Sequence, residues 1–248
     1  MDNPVADVRI GNLTAQWAEN NHLYVHYRTE QESTNSAAKD EAFNENLMEE
    51  ALCLYVTDHQ TTGRGRGKNK WTAKAGSSLL SSWSFLLNVK PQPTTSCLVG
   101  LALYRACSST WPFLDWNLKA PNDIYVGNKK IAGILLETVM QGDDVRLVIG
   151  IGMNIISAPE SVNTSTSLLM SLPPGAPLLG QDYMGFLDRL LFELTDAVSH
   201  CENPLSTTDR LSLMQALNNH PLLKTPYTKM ESDGSLWIDD KKINWMEL

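Results

Sequence analysis

The chain has 248 residues, 42% of them hydrophobic and 19% charged, a globular composition with room for one large domain and a small appendage. Its formal net charge of −8 argues against general nucleic-acid binding. No apolar run reaches the roughly 18–20 residues that span a membrane, and "MDNPVADVRIGNLTAQ" lacks a basic segment followed by an apolar core, so no signal peptide is expected. Cys53, Cys97, Cys107 and Cys201 show no CxxC spacing and read as reduced core thiols of a cytoplasmic protein. The five histidines form no HExxH cluster, so a zinc site is not expected.

In chain order, "HLYVHY" (22–27) alternates and carries β-formers, predicting a strand. Ser33 or Thr34 can cap a helix over the following "SAAKDEAFNENLMEE", with Ala38, Ala42 and Leu47 on its apolar side. "LCLYVT" (52–57) and "LLSSWSFLL" (79–87) read as strands, and "CLVGLALYRACSS" (97–109) as a buried helix. "FLDWNL" is a strand, and Gly127-Asn128 turns a hairpin between "IYV" and "KIAGILLETVM". "VRLVIGIGMNI" is a further strand, and 157–180 is a loop rich in Ser, Pro and Gly. "YMGFLDRLLFELTDAV" has strong helical spacing, a second helix covers 207–219, and two or three short strands surround Asp233-Gly234. Strict βαβ alternation is absent. The order predicts an α+β fold with a mixed or antiparallel sheet, organised as a domain over 1–205 and a helix plus short β-rich domain over 206–248.

Three stretches carry unusual chemistry. In "QTTGRGRGKNKW" (60–71), Gly63, Gly65 and Gly67 permit close approach and positive φ. Successive amides can make an anion nest, and Arg64 and Arg66 offer bidentate donors for carboxylate or phosphate. Neither GxxxxGK[ST] nor GxGxxG fits. A mobile solvated loop, an RNA contact and a small-molecule anion site all remain open on composition alone. In "LKAPNDIYVGNKKIAGILLE" (118–137), Pro121-Asn122-Asp123 makes a good turn and also offers amide and carboxylate groups. Lys129 and Lys130 flank the hairpin turn. In "VIGIGMNI" (148–155), Gly150 and Gly152 interrupt an apolar strand, marking a bulge or a close approach.

Together these stretches resemble the catalytic domain of biotin–protein ligases over roughly residues 22–200. The motifs that carry the resemblance are Ser33-Thr34-Asn35, Gln60 with the GRGRG loop and Trp71, Lys119 with Pro121-Asn122-Asp123, Lys130-Ile131-Ala132-Gly133, and Gly150-Ile151-Gly152-Met153-Asn154. The resemblance implies a mixed sheet backed by helices, with a β-rich C-terminal domain. It implies activation of biotin by ATP and Mg²⁺ to biotinyl-AMP, then transfer to a lysine of the biotin carboxyl carrier protein domain of acetyl-CoA carboxylase or a related carboxylase. By the same resemblance, Ser33, Thr34, Asn35, Gln60 and Gly133 belong to biotin, and Arg64, Gly65 and Arg66 lie over biotin and the phosphates. Trp71 belongs to adenine, and Lys119, Asn122 and Asn154 support the nucleotide. Lys130 stands with Arg64 and Arg66 at the reacting centre, and Asp123 holds Mg²⁺ or positions Lys130.

Ala120 departs from the tryptophan common before Pro-Asn-Asp in the family, and the tail after residue 220 is short for its C-terminal domain. The 21 residues ahead of the first strand are too few for a helix-turn-helix, so the form without a DNA-binding domain is expected, as a monomer or homodimer binding neither specific nucleic acid nor membrane. The alternatives are a lipoate or octanoate–protein ligase and a degenerate binding protein without ligase activity.

Overall fold

The computed structural model describes residues 8–159 and 162–248; the signal-peptide reading of the first sixteen residues falls partly outside them. The chain divides into two compact units, Met1–Lys90 with Ile131–Met184, and Pro91–Lys130 with Gly185–Leu248. The domain boundary expected at residues 205 and 206 falls inside the second unit. No helix among the described residues is long and apolar enough to cross a membrane.

The first unit contains a helix at Ile10–Asn20 (α1), strands at Tyr24–Gln31 (β1), Leu52–Gln60 (β2) and Ser78–Leu87 (β3), and a helix at Thr34–Asp40 (α2). It also contains most of Lys129–Gln141 (β6) and all of Asp144–Asn154 (β7). The second unit supplies Trp116–Lys119 (β4) and Asp123–Val126 (β5), so that the seven-stranded sheet runs β1-β2-β3-β7-β6-β5-β4. β1 and β2 pair in parallel, while β2–β3, β3–β7, β6–β7 and β4–β5 are antiparallel. The fold is α+β with a mixed sheet, as the order of elements predicts.

The two faces of β7 differ in character. Residues two apart share a face of a strand. Val145, Leu147, Ile149, Ile151 and Met153 are all buried and apolar on one face. The other reads Arg146, Val148, Gly150, Gly152, Asn154, and it is the face toward α2, since Val148 packs with Ala38, Leu47, Cys53 and Tyr55. The ladders through Gly150 and Gly152 are continuous on both sides, so neither glycine marks a bulge. Both mark close approach. A Cβ on Gly150 would collide with the Asn35 amide, and one on Gly152 with the Trp71 indole.

The predicted long helix after Ser33 is shorter than expected. Ser33 caps it, its Oγ accepting from Ser36 N, but α2 ends at Asp40 and a 3₁₀ turn follows at Glu45–Leu47. The cause is Arg146, buried on β7. Its Nε donates to Ala42 O at 3.1 Å, and Nη2 to Leu47 O. Satisfying a buried guanidinium outweighs continuing the helix. Ala38, Ala42 and Leu47 are nonetheless all buried, as the pattern predicts.

Helix α1 was not foreseen. Ile10, Leu13, Trp17 and Ala18 are buried at helical spacing, but polar Asn12, Thr14 and Gln16 between them blur the pattern. Tertiary bonds fix it to β2: buried Asp58 accepts from Arg9 Nη1 at 3.1 Å, Asn12 N at 3.3 Å and Tyr27 OH at 2.6 Å. Trp17 meets Trp83 at 6.1 Å between ring centroids.

In the second unit, helices at Thr95–Thr110 (α3) and Thr207–Asn218 (α6) pack against β4. The short helix Leu168–Ser171 (α4) lies in the first unit within the predicted loop, and Gly180–Ser199 (α5) is the strongly amphipathic helix expected from sequence. The tail forms a separate antiparallel sheet from Lys229–Met230 (β8), Leu236–Ile238 (β9) and Lys241–Ile243 (β10). All four cysteines are buried free thiols. Ala120 is buried and lines a cavity of about 180 Å³ in the second unit together with Leu118, Leu217, His220 and Tyr227.

Candidate functional site

The expected site residues divide between the two units. In the first, a buried polar wall is built where α2 meets β2 and β3. Gln60 Oε1 accepts from Thr34 N at 2.8 Å and from Thr34 Oγ1 at 3.2 Å. The Ser82 hydroxyl stands 2.8 Å from Thr34 Oγ1 and also hydrogen-bonds Asn35 Oδ1. Asn35 Nδ2 donates to Leu135 O at 3.2 Å and to Glu137 Oε2 at 2.9 Å. Ser33, Thr34, Asn35 and Ser82 are all buried. Such side chains are retained inside a protein when each finds a partner, and here the partners are one another.

The glycine–arginine loop beside them is a closed hairpin. Trp71 N donates to Gly63 O at 3.0 Å, Gly65 N to Asn69 O at 2.9 Å, and Asn69 N to Arg66 O at 3.2 Å. Arg64 and Lys70 form a bridge between its arms. The glycines act differently from the common role expected of them. A Cβ on Gly63 would collide with the Trp71 carbonyl, whereas Gly67 turns the tip at φ +64 with open space around it. The Gly65 amide is bonded within the hairpin, which departs from the run of free amides an anion nest requires.

Arg64 ties this hairpin to the sheet. Its Nη1 donates to Glu137 Oε2 at 3.0 Å and its Nη2 to Oε1 at 2.8 Å, a fork-to-fork pair. Lys39 Nζ reaches the same Oε1 at 2.6 Å. Burial alone would raise the Glu137 pKa, but the bonds from Lys39, Asn35 and Arg64 outweigh it and hold the carboxyl below its usual range. Trp71 lies over Gly152, whose partner across the ladder is Gly133. Asn154, buried at the end of β7, donates to Thr166 O at 3.0 Å, while its Oδ1 has no partner among the described residues.

In the second unit, β4 and β5 form a tight hairpin in which Lys119 stands opposite Asp123 across Ala120, Pro121 and Asn122. Lys130 Nζ lies 2.6 Å from Asp123 Oδ1. Lys129 next to it is exposed. The Trp245 indole donates to Pro121 O at 3.1 Å, fastening the turn from the C-terminal tail. Lys119 Nζ sits 5.7 Å from the centroid of the Tyr125 ring, which meets His220 edge-on. Burial, aided by the Lys119 charge, lowers the His220 pKa.

Sequence reasoning missed Ser82, Glu137 and Trp245. Glu137 carried a signal, a carboxylate directly after the apolar run Ile134-Leu135-Leu136, whereas Ser82 is one of four serines in β3 and nothing in the sequence singles it out.

Residues 27–154 match the family described as Biotin/lipoate A/B protein ligase family. The biotin–[acetyl-CoA-carboxylase] ligase of Mycobacterium tuberculosis is 31% identical over 155 residues, 60% of this chain and 55% of the relative. The chain spans about half the length of the curated relatives it matches, or less. Among solved structures, the biotin protein ligase from Aquifex aeolicus in complex with biotin and ATP superposes with a TM-score of 0.68 at 22% identity, over 90% of this chain and 97% of that one. The enzyme from Leishmania major in complex with biotinyl-5-AMP gives 0.61 at 23% identity, over 89% and 98%. At these identities the superpositions establish the fold.

Proposed function

Since the chain belongs to the Biotin/lipoate A/B protein ligase family, we propose that it is an ATP-dependent biotin–protein ligase acting on the carrier domain of acetyl-CoA carboxylase or a related carboxylase in the cytoplasm. The observation that carries this reading is the wall of buried Thr34, Asn35 and Ser82 and half-buried Gln60 set beside an arginine hairpin. The wall offers hydroxyl and amide groups to a small polar ring, and the hairpin offers positive charge to a carboxylate and phosphates.

In the first step, a biotin carboxylate oxygen attacks the α-phosphorus of ATP, the bond to the bridging oxygen breaks, and pyrophosphate leaves. Two anions must meet, and fixed cations remove that barrier. Arg66 and Lys130 are assigned to the phosphates and carboxylate, with Arg64 and Gly65 in the covering loop. Lys130 positions these anions, and Asp123, 2.6 Å from its Nζ, orients it. In the second step, a neutral lysine amine of the carrier attacks the acyl carbon, AMP departs, and the nitrogen gives up a proton. Ser33 and Gly133 belong to the biotin side, and Trp71, Lys119, Asn122 and Asn154 to the nucleotide side. Asp123 would hold Mg²⁺, which would supply positive charge to the triphosphate and needs few protein ligands.

The test incubates the protein with MgATP and biotin, lipoate or octanoate separately, measuring AMP release and acyl transfer to a carrier domain. Biotin alone should support both. Preference for lipoate or octanoate would move the protein to the other branch of the family, and no AMP with any acid would remove the activity.

A further inference from the structure

We propose that Glu137 is a positioning residue that docks the glycine–arginine hairpin and sets the orientation of Asn35 in the pocket wall. Four bonds from three separate points converge on its carboxylate. Arg64 brings the hairpin, while Lys39 and Asn35 bring the two ends of α2. The side chain of Glu137 is 18% exposed and that of Arg64 is 40% exposed, so the pair is partly shielded from water and gains accordingly. A bidentate guanidinium fixes direction as well as distance. Arg64 therefore works through the position of its loop, with both terminal nitrogens on Glu137.

The same carboxylate sets hydrogen-bond polarity along the wall. As an acceptor it draws the Nδ2 side of Asn35, which turns Oδ1 toward Ser82. Ser82 has one proton, and donating it to Asn35 leaves the Thr34 hydroxyl to act as donor toward Ser82 or Gln60. With Gln60 Oε1 facing Thr34, the Gln60 amide nitrogen is held on its other side. Glu137 thus links the loop that covers the site with the donor and acceptor pattern of its wall.

Two variants test this in the full chain. Glu137→Gln keeps the shape but sets an amide donor against Arg64 and Asn35. Arg64→Met removes the docking fork from the exposed side and leaves Glu137 paired with Lys39, so it folds even where the first variant fails. Trypsin cleavage after Arg66, Lys68 and Lys70 is followed without ligand. Each single variant should raise the rate about tenfold, as loss of one charged, partly buried tether opens a local segment. The double variant should add nothing further, because both remove one contact. Wild-type rates in the singles, or multiplied rates in the double, overturn the proposal. A second arm rests on the ligase reading. In pyrophosphate release, the KM for biotin should rise about tenfold with kcat within about threefold. A loss confined to kcat would indicate a smaller folded fraction and overturn the positioning role. Wild-type protein without turnover would refute the ligase reading and leave the trypsin result to decide the tether.

Discussion

Two hairpins carry the candidate charges, and they are braced in opposite ways. The hairpin from Gly63 to Trp71 projects most of its side chains to solvent, and the Arg64–Glu137 pair ties it to the sheet at one end while the Trp71 indole lies over Gly152 at the other. The hairpin of β4 and β5 is seated in the second unit's core: Leu118 and Ile124 are fully buried, and Trp245 clasps the turn at Pro121. An electrostatic brace can be competed for by an anion and can open locally at low cost. A brace of buried apolar surface opens only with the unit around it. The difference suits the first hairpin to move and the second to hold Lys119, Asp123 and Lys130 in fixed places within its own unit.

The largest expected effect tests the fixed hairpin. Lys130→Ala should slow pyrophosphate release by about 10³-fold, the upper end of what losing one preorganised charge does. The protein should remain folded, because the ammonium fills no apolar core and the Asp123 side chain is already 20% exposed with Lys130 in place. Near-normal release from the folded variant would take Lys130 out of the reacting centre.

An intermediate pair sharpens the account of the mobile hairpin. Gly63→Ala puts a methyl into the Trp71 carbonyl, a backbone atom that cannot step aside, so the closing hydrogen bond must break. Gly67→Ala meets nothing and carries only the strain of φ +64, about 1–2 kcal/mol. Biotin affinity by calorimetry should fall more than about tenfold for the first and about fivefold for the second. The reverse order would mean that the tip, not the base, sets the hairpin.

How much of this was legible follows from which residues had to speak across the chain. Strands β2, β3, β6 and β7 announce themselves, because long apolar runs with β-formers need no distant partner to be recognised. The GRGRG stretch is legible as chemistry, and its neighbours Thr34, Asn35 and Gln60 do gather. The reasons behind the glycines are not legible: Gly150 and Gly152 make room for Asn35 and Trp71, residues some 80 to 115 positions away in the sequence. Helix α1 depends on Asp58, and the break in α2 on Arg146. Both are decided by buried polar atoms seeking partners, a tertiary demand that local propensity does not record.

The smallest expected effect is also the strictest, because it rests on one residue of register. Lys129 and Lys130 are neighbours of the same type at the start of β6, and a strand sends neighbouring side chains to opposite faces. The two environments differ accordingly: Lys129 is exposed, whereas Lys130 is half-buried and bonded to Asp123. An exposed lysine at the edge of a turn contributes little, with solvent screening its charge. Lys129→Ala should therefore leave pyrophosphate release within about twofold of the unaltered protein and stability within about 0.5 kcal/mol. Since both variants delete the same charge from adjacent positions, general electrostatics would lower the two rates alike. A gap of two or more orders of magnitude between them isolates the side chain that meets Asp123. Equal losses would show that the charge acts from a distance and that the fixed hairpin presents a field rather than a placed group.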